Sequence, residues 1–132
     1  MYRASQAGVS IDLIVRGMCC LRPGVKGVSD NIRVLSIIGR FLEHSRVYYF
    51  MNASPCVYCS SADLMERNLY RRVETGFPIE RPAMVKRIIN ELHSYLEDSW
   101  QSWGLNANGD YKANREAPET AIQDVLLKNL AQ

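Results

Sequence analysis

The residues best suited to chemistry surround one histidine in the first half of the chain. His44 and Arg46 lie two positions apart, so in an extended strand their side chains share a face at a spacing of about 6.6 Å. An imidazole can form a phosphoramidate or exchange protons near neutral pH, and a neighbouring guanidinium can stabilise charge on phosphoryl oxygens. The pair therefore indicates phosphoryl chemistry. A structural or surface histidine is the alternative interpretation.

Polar residues that can support this pair follow the next predicted strand. Ser61 and Asp63 lie at the end of that strand, and Arg67 and Asn68 come shortly after it. A hydroxyl or a carboxylate beside an imidazole can hydrogen-bond one ring nitrogen and so fix the tautomer. The hydroxyls of Ser60 and Ser61 and the carboxylate of Asp63 could therefore hydrogen-bond the His44 ring.

A second group of candidate residues follows the first predicted strand. Alternation along that strand places Asp12 and Arg16 on one face, with Arg16 at the carboxyl end. Ligands of open α/β sheets gather at such ends, so Arg16 is a candidate anion-binding residue, and the next loop adds Arg22 and Lys26. The alternative is a structural Arg16 that extends from the sheet or pairs with Asp12. The chain contains no Walker or dinucleotide-binding pattern.

The charges are distributed unevenly along the chain. Lys and Arg number 16 against 14 Asp and Glu, a net charge of +2. Residues 1–72 hold ten basic and five acidic side chains, whereas residues 73–132 hold six and nine. Twelve of the basic residues are arginines, whose planar fork suits bidentate recognition of phosphate or carboxylate. The first half therefore favours anions, although the small net charge does not predict nucleic-acid binding.

The four cysteines do not have the spacing of a zinc site. Cys19 and Cys20 are adjacent and cannot place both thiolates as a zinc knuckle does, whereas Cys56 and Cys59 would point to opposite faces of a strand. We therefore predict no metal site. We expect buried, reduced thiols, as is usual in a reducing compartment.

The length and composition predict one globular domain. A chain of 132 residues, 47% of them hydrophobic, buries roughly two-thirds of its unfolded surface and needs no disulfide or metal to fold. No apolar run reaches the roughly 18 residues of a membrane span, and the first residues lack the apolar stretch of a signal peptide. These features predict a soluble, cytoplasmic protein.

The start of the chain resembles part of a repeating α/β unit. The first eight residues have the pattern of a helix end closed by Gly8, and a buried strand is predicted at 11–15. A helix that runs into a buried strand is the second half of a β-α-β crossover, so we expect the chain to begin inside a larger protein. Residues 17–31 contain two glycine turns and are predicted to be a loop.

The remaining elements follow from hydrophobic patterning. Apolar residues recur at helical spacing from Pro82 onward, which predicts a long helix closed by Trp100 and Trp103. Further strands are predicted at 32–38, 45–50, 56–60 and 72–78, with a hairpin turn at 52–55, a short helix at 64–69, a turn-rich loop at 104–117 and a closing helix at 119–130.

Several blocks of this sequence together resemble one family. They are Ile11–Gly17, Cys20–Gly24, Asp30–Arg33, Gly39–Arg46, Ser61–Asp63 and Arg67–Leu69. In this order and spacing they are similar to the C-terminal domain of polyphosphate kinase, a bacterial enzyme of the phospholipase D-like superfamily. The resemblance implies an α/β fold, with a phospholipase D-like mixed sheet flanked by helices and truncated at its N-terminal edge. It also implies that residues 1–132 are the C-terminal catalytic domain, with 1–103 matching closely and 104–132 forming a variable tail with a terminal helix.

The resemblance also implies an activity. The family reversibly transfers the terminal phosphate of ATP to inorganic polyphosphate, with magnesium, through a phosphohistidine. We expect that histidine in a preceding domain that this chain lacks, Mg²⁺ to be bound mainly there and by ATP, and the fragment alone to be inactive. His44 resembles the family's second histidine, which contacts the ATP phosphates and assists transfer. The implied site comprises catalytic His44, phosphate-binding Arg16, Arg22, His44 and Arg46, and supporting Ser61, Asp63, Arg67 and Asn68.

The implied partners are ATP or ADP, polyphosphate and the preceding domains of the same enzyme. The resemblance implies neither nucleic acid nor a membrane span, predicts a homo-oligomer for the full-length protein, and leaves open its association with a membrane. Superfamily phosphodiesterases have Lys at the position of Arg46 and Asp at the position of Met51. The missing Asp is typical of polyphosphate kinases. A phosphodiesterase half-site and a non-enzymatic polyanion-binding module remain the alternatives.

Overall fold

The computed structural model describes residues 1–97, 100–115 and 120–131. The chain divides into two compact units. The first unit comprises Met1–Leu42 and His93–Gln132, and the second comprises Glu43–Leu92. Each unit has its own β-sheet, so the two are described separately.

The described residues contain helices and strands in mixed order. They are α1 (Tyr2–Gln6), β1 (Ile11–Ile14), β2 (Ile32–Ile37), β3 (Val47–Tyr49), β4 (Val57–Ser60), α2 (Glu66–Arg71), β5 (Gly76–Pro78), α3 (Pro82–Glu97), β6 (Ser102–Leu105), β7 (Tyr111–Ala113) and α4 (Ile122–Leu130).

The sheet of the first unit is mixed, with the strand order β1-β2-β6-β7. Strands β1 and β2 run parallel, and the other two pairs are antiparallel. On the inner strand β2, Ile32 and Val34 are at most 5% exposed and share one face, because alternate side chains of a strand point to the same side. Ile37, at the end of β2, is 1% exposed on the opposite face. The strands predicted at 11–15 and 32–38 are confirmed, and each ends one residue earlier than predicted.

The hairpin β6–β7 corrects two predictions. Trp103 lies in β6 and not at the end of the long helix, and the predicted loop at 104–117 contains β7. The turn between the strands is closed at Gly109, which adopts a φ of +93° and donates its N–H to the carbonyl of Asn106. A dipeptide such as Asn108-Gly109 is typical of hairpin turns, because glycine adopts positive φ without strain.

The sheet of the second unit is antiparallel, with the strand order β3-β4-β5. Tyr48 lies opposite Tyr58, which confirms the hairpin predicted around residues 52–55, and Val57 is completely buried. Strand β3 comprises Val47–Tyr49 and begins two residues later than the strand predicted at 45–50, so His44 and Arg46 both precede it instead of opening the strand. The strand predicted at 72–78 is reduced to β5, and at Thr75 the N–H donates to the Ser61 hydroxyl instead of to a backbone carbonyl of β4.

The predicted helices are found with shifted ends. Helix α1 is followed by Gly8 with a φ of +88°, and α3 begins at Pro82 as predicted. Helix α2 begins at Glu66, two residues later than predicted. Residues 116–119 lie outside the described residues, and α4 begins at Ile122. Among the helices described, none is long and apolar enough to cross a bilayer.

The cysteines differ in part from the prediction. All four are free, but Cys20 is exposed and Cys19, Cys56 and Cys59 are half-buried. The prediction of buried thiols was therefore wrong. Cys19 and Cys20 lie in the long loop between β1 and β2, where few side chains can cover them.

Candidate functional site

Arg46 lies at the centre of a side-chain network in the second unit. Its Nε donates to Asp63 Oδ1 at 3.0 Å, and the two side chains are 19% and 31% exposed. Its Nη1 lies 3.2 Å from His44 Nδ1 and donates to the His44 carbonyl at 3.1 Å. The backbone carbonyl of Arg46 accepts from Ser60 N–H, which ties the residue to β4. Its guanidinium is therefore held by a carboxylate on one side and by His44 on the other.

The guanidinium determines which nitrogen of His44 carries the proton. An arginine side chain has five N–H donors and no acceptor, so His44 Nδ1 must be the acceptor in its contact with Nη1. The proton of the neutral ring is then on Nε2. Because His44 is exposed, this Nε2–H can meet a ligand. The tautomer of His44 is therefore fixed by Arg46, and not directly by Ser61 or Asp63, which the sequence offered for that role. Arg46 lies between Asp63 and the ring.

A second network in the same unit joins two of the predicted supporting residues. Glu74 accepts a short hydrogen bond from the Ser61 hydroxyl on Oε2 and a 2.7 Å bond from Asn68 Nδ2 on Oε1. The Ser61 hydroxyl also accepts from Thr75 N–H at 3.0 Å. Asn68 is 4% exposed, so the network holds the start of α2 to the chain that enters β5.

Glu74 is the functional candidate that the sequence did not reveal. It lies 13 positions after Ser61, and only the antiparallel pairing of β4 with β5 brings the two together. The hydrogen bonds from Ser61 and Asn68 lower the pKa of Glu74 from its usual 4.5, and the positive charges of Arg72 and Arg46 act in the same direction. A charged residue within a predicted strand is the one signal that could have indicated it.

Arg67 lies apart from the buried end of this network. It is exposed on α2, where it contributes positive charge to the surface. The neighbouring Arg71 pairs with Glu66 at 3.2 Å, and both side chains are more than two-thirds exposed. Exposed pairs of this kind contribute little to stability.

The two arginines predicted in the first unit have different surroundings. Arg16 is exposed just after β1, at the end of the strand as predicted. Asp12 bonds to Arg33 on the adjacent strand at 2.7 Å, its register partner in the parallel pair. The Arg22 guanidinium donates to the carbonyl of Ala107 at 2.9 and 2.5 Å, so it holds the β6–β7 turn.

Two acidic residues of the second unit, Asp63 and Glu74, are engaged by other side chains of that unit. Asp63 is bonded by Arg46, and Glu74 is bonded by Ser61 and Asn68. Within residues 1–97, 100–115 and 120–131, no three His, Cys, Asp or Glu side chains are grouped so that they could hold a metal ion. The donor set of these described residues therefore does not fit a magnesium site.

Comparison with known proteins decides the family. The profile of the family described as polyphosphate kinase C-terminal domain 2 matches residues 1–124. The chain belongs to this polyphosphate kinase family. The polyphosphate kinase of Pseudomonas aeruginosa is 63% identical over 99% of this chain and 20% of its own length, and polyphosphate kinase 1 of Chlorobaculum tepidum is 52% identical over 100% of this chain and 19% of its own length.

A solved polyphosphate kinase confirms the predicted fold class. The crystal structure of the Porphyromonas gingivalis polyphosphate kinase is 39% identical and superposes with a TM-score of 0.91 over 98% of this chain. The chain spans about a fifth of the length of these polyphosphate kinases. The boundary at residue 103 between a conserved domain and a variable tail stays a prediction, as do the individual site residues.

Proposed function

We propose that this chain is part of an enzyme that reversibly transfers the terminal phosphate of ATP to inorganic polyphosphate. The observation that carries the proposal is the His44–Arg46–Asp63 network, which fixes the imidazole with Nε2–H exposed. Membership of the polyphosphate kinase family supports it. A neutral imidazole with a defined N–H can donate to a phosphate oxygen and act as a general acid.

The arginines are proposed to bind an anionic substrate near His44. Nε and Nη1 of Arg46 are engaged by Asp63 and His44, and its Nη2 N–H groups are proposed to donate to a phosphoryl oxygen of the substrate. Arg16, exposed after β1, is proposed to bind phosphates of the nucleotide. Arg22 is proposed mainly to hold the β6–β7 turn, to which it is hydrogen-bonded. Its positive charge also adds to the anion-binding first half of the chain.

The phosphorylated histidine is proposed to lie outside residues 1–132. The chain spans about a fifth of its relatives, which leaves ample protein to supply that residue and the ligands of magnesium. Magnesium bound with ATP would neutralise phosphate charge during transfer. His44 would then assist transfer without carrying the phosphate itself.

Several apolar side chains of the second unit are exposed, and we propose that they form a surface that binds another part of the enzyme. Isolated apolar residues on a surface are ordinary, whereas many exposed apolar side chains in one segment are typical of an interaction site. The set lies close together in sequence, from Leu64 to Phe77, and its exposed fractions range from 45% for Met65 to 103% for Val73. Its members are Leu64, Met65, Leu69, Tyr70, Val73 and Phe77. We propose that the rest of the same polypeptide covers this surface.

The experiment is phosphate transfer by the full-length protein, followed from ATP labelled on its terminal phosphate. We expect label in long polyphosphate, and an acid-labile label on a peptide outside residues 1–132. The 132-residue chain, checked for folding by circular dichroism, should take up no label. Label on a peptide containing His44, or hydrolysis of a phosphodiester in place of polyphosphate synthesis, would contradict the proposal.

A further inference from the structure

The segment that leads to His44 is held by a side chain from the far end of the sequence. Gln123, in the first turn of α4, is 4% exposed. Its Oε1 accepts from the N–H of Phe41, and its Nε2 donates to the carbonyl of Phe41, both at 2.9 Å. One amide therefore satisfies both backbone groups of a single residue, as a neighbouring β-strand does in a sheet.

The chemistry of this contact requires an amide. Phe41 lies outside β2 and β3, so no strand pairs with it, and backbone groups that lack a partner away from water are costly. A glutamine side chain offers one acceptor oxygen and an N–H donor. A carboxylate could accept from the N–H of Phe41 but could not donate to its carbonyl.

The packing around Gln123 also accounts for the glycine at position 39. A Cβ at Gly39 would lie 2.5 Å from Gln123 Oε1 and 2.8 Å from the side-chain amide atoms of Gln101. Atoms of protein interiors are closely packed, so a methyl group there would displace both glutamines. We call Gln101 and Gln123, packed on Gly39 and Phe41, the amide clamp.

We propose that Gln123 is a positioning residue for His44. The amide clamp fixes the backbone at Phe41, three residues before His44. It therefore limits the backbone conformations available to the short segment that carries the imidazole. A misplacement of about 1 Å can reduce catalysis by about 10²-fold. The proposal rests on the proposed function of His44. It gives α4 a role in a part of the chain that the sequence predicts to be a variable tail.

The test compares two substitutions on the same helix turn in the full-length protein. Gln123→Met keeps the length and volume of the side chain but removes the amide. Ile122→Val trims the adjacent residue, which is also 4% exposed, and serves as the control for lost packing. Both variants are assayed for polyphosphate synthesis at a temperature where circular dichroism shows them folded.

We expect Gln123→Met to lower kcat by about tenfold or more while KM for ATP stays within about twofold. Hydrogen exchange of a peptide spanning residues 39–44 should become faster in this variant. Ile122→Val should leave both kcat and this exchange close to the wild-type values. A purely structural role predicts instead that both variants lose activity in proportion to their loss of stability.

Two results from these variants would overturn the proposal, and a third comes from an additional variant. One is a Gln123→Met enzyme with wild-type kcat, and the other is an equal loss in Ile122→Val. Gln123→Glu is measured alongside, because it keeps the acceptor for Phe41 N–H even if Gln123→Met does not fold. It should lose about threefold or more in kcat, and wild-type kcat in this variant would also refute the role. If the wild-type protein makes no polyphosphate, the proposed function fails, whereas the exchange measurement still tests the amide clamp.

Discussion

Replacing Arg46 with lysine tests whether the fork of the guanidinium, and not its charge, organises the site. Arg46 bonds Asp63 through Nε and His44 through Nη1. A lysine has one nitrogen and cannot make both contacts in this geometry. Arg46→Lys therefore keeps the positive charge and releases the ring of His44 from its fixed tautomer.

The expected loss of activity exceeds the expected loss of stability. The Arg46 and Asp63 side chains are 19% and 31% exposed, so we expect Arg46→Lys to destabilise the fold by about 1 kcal/mol. A misplaced imidazole should lower kcat by about 10²-fold, which corresponds to about 2.7 kcal/mol. The assay is polyphosphate synthesis from ATP by the full-length enzyme, with thermal unfolding of the same samples.

A matched control separates the site from ordinary ion-pair loss. Arg87 bonds Glu91 through Nε at 2.8 Å on the surface of α3, so Arg87→Lys removes the same fork from an exposed pair. It should leave kcat unchanged and the stability nearly so. If Arg46→Lys keeps kcat within about threefold of the wild type, the fork does not position the histidine and the reasoning is refuted.

Three further predictions concern stability. The pKa of the Glu74 carboxyl is lowered in the folded protein. The ionised carboxylate therefore stabilises the fold fully above the usual pKa of 4.5, and this contribution is lost as the pH falls through the lower pKa of the folded state. The difference in Tm between wild type and Glu74→Gln should be constant near neutral pH and shrink in acid. Arg22→Ala removes two bonds to Ala107 and should lower the free energy of unfolding by about 1 kcal/mol in urea titration; an unchanged midpoint would show that the bonds to the turn carry no stability. Val57→Ala empties a completely buried site and should cost about 2 kcal/mol in the same titration, and a loss below about 0.5 kcal/mol would contradict the core position of β4.

The sequence predicts those elements whose hydrophobic pattern is long or strict. The alternation around Ile32 and Val34 identifies β2, and the helical spacing after Pro82 identifies α3. The short strands β6 and β7 lack such a pattern, and Trp100 and Trp103, the second of which lies in β6, resemble the end of the preceding helix. Only the Asn108-Gly109 turn indicates that hairpin.

The contacts among the candidate site residues are predictable only in part. The spacing of His44 and Arg46 indicates that they meet, and the structure confirms a contact. The spacing does not show that Asp63 bonds the arginine, because a carboxylate can pair equally well with an imidazole. The contact between Glu74 and Ser61 depends on the register between β4 and β5. That register is set by packing across the sheet and cannot be seen in the local sequence.

The amide clamp lies beyond any local pattern. Gln123 and Phe41 are separated by 82 positions, and a glutamine in an amphipathic helix ordinarily faces solvent. Its burial against a backbone segment outside the strands is a consequence of tertiary packing. Contacts between distant polar side chains and backbone groups are therefore the part of this site that only the structure reveals.

The central claim is that His44 acts on the phosphate transferred from ATP. The most direct measurement is kcat for polyphosphate synthesis by the full-length His44→Ala enzyme, with His93→Ala, an exposed histidine on α3, as the control. We expect His44→Ala to lower kcat by about 10²-fold or more with the fold intact, and His93→Ala to retain wild-type turnover. Near-normal turnover of His44→Ala would show that His44 is a surface residue and would contradict the claim.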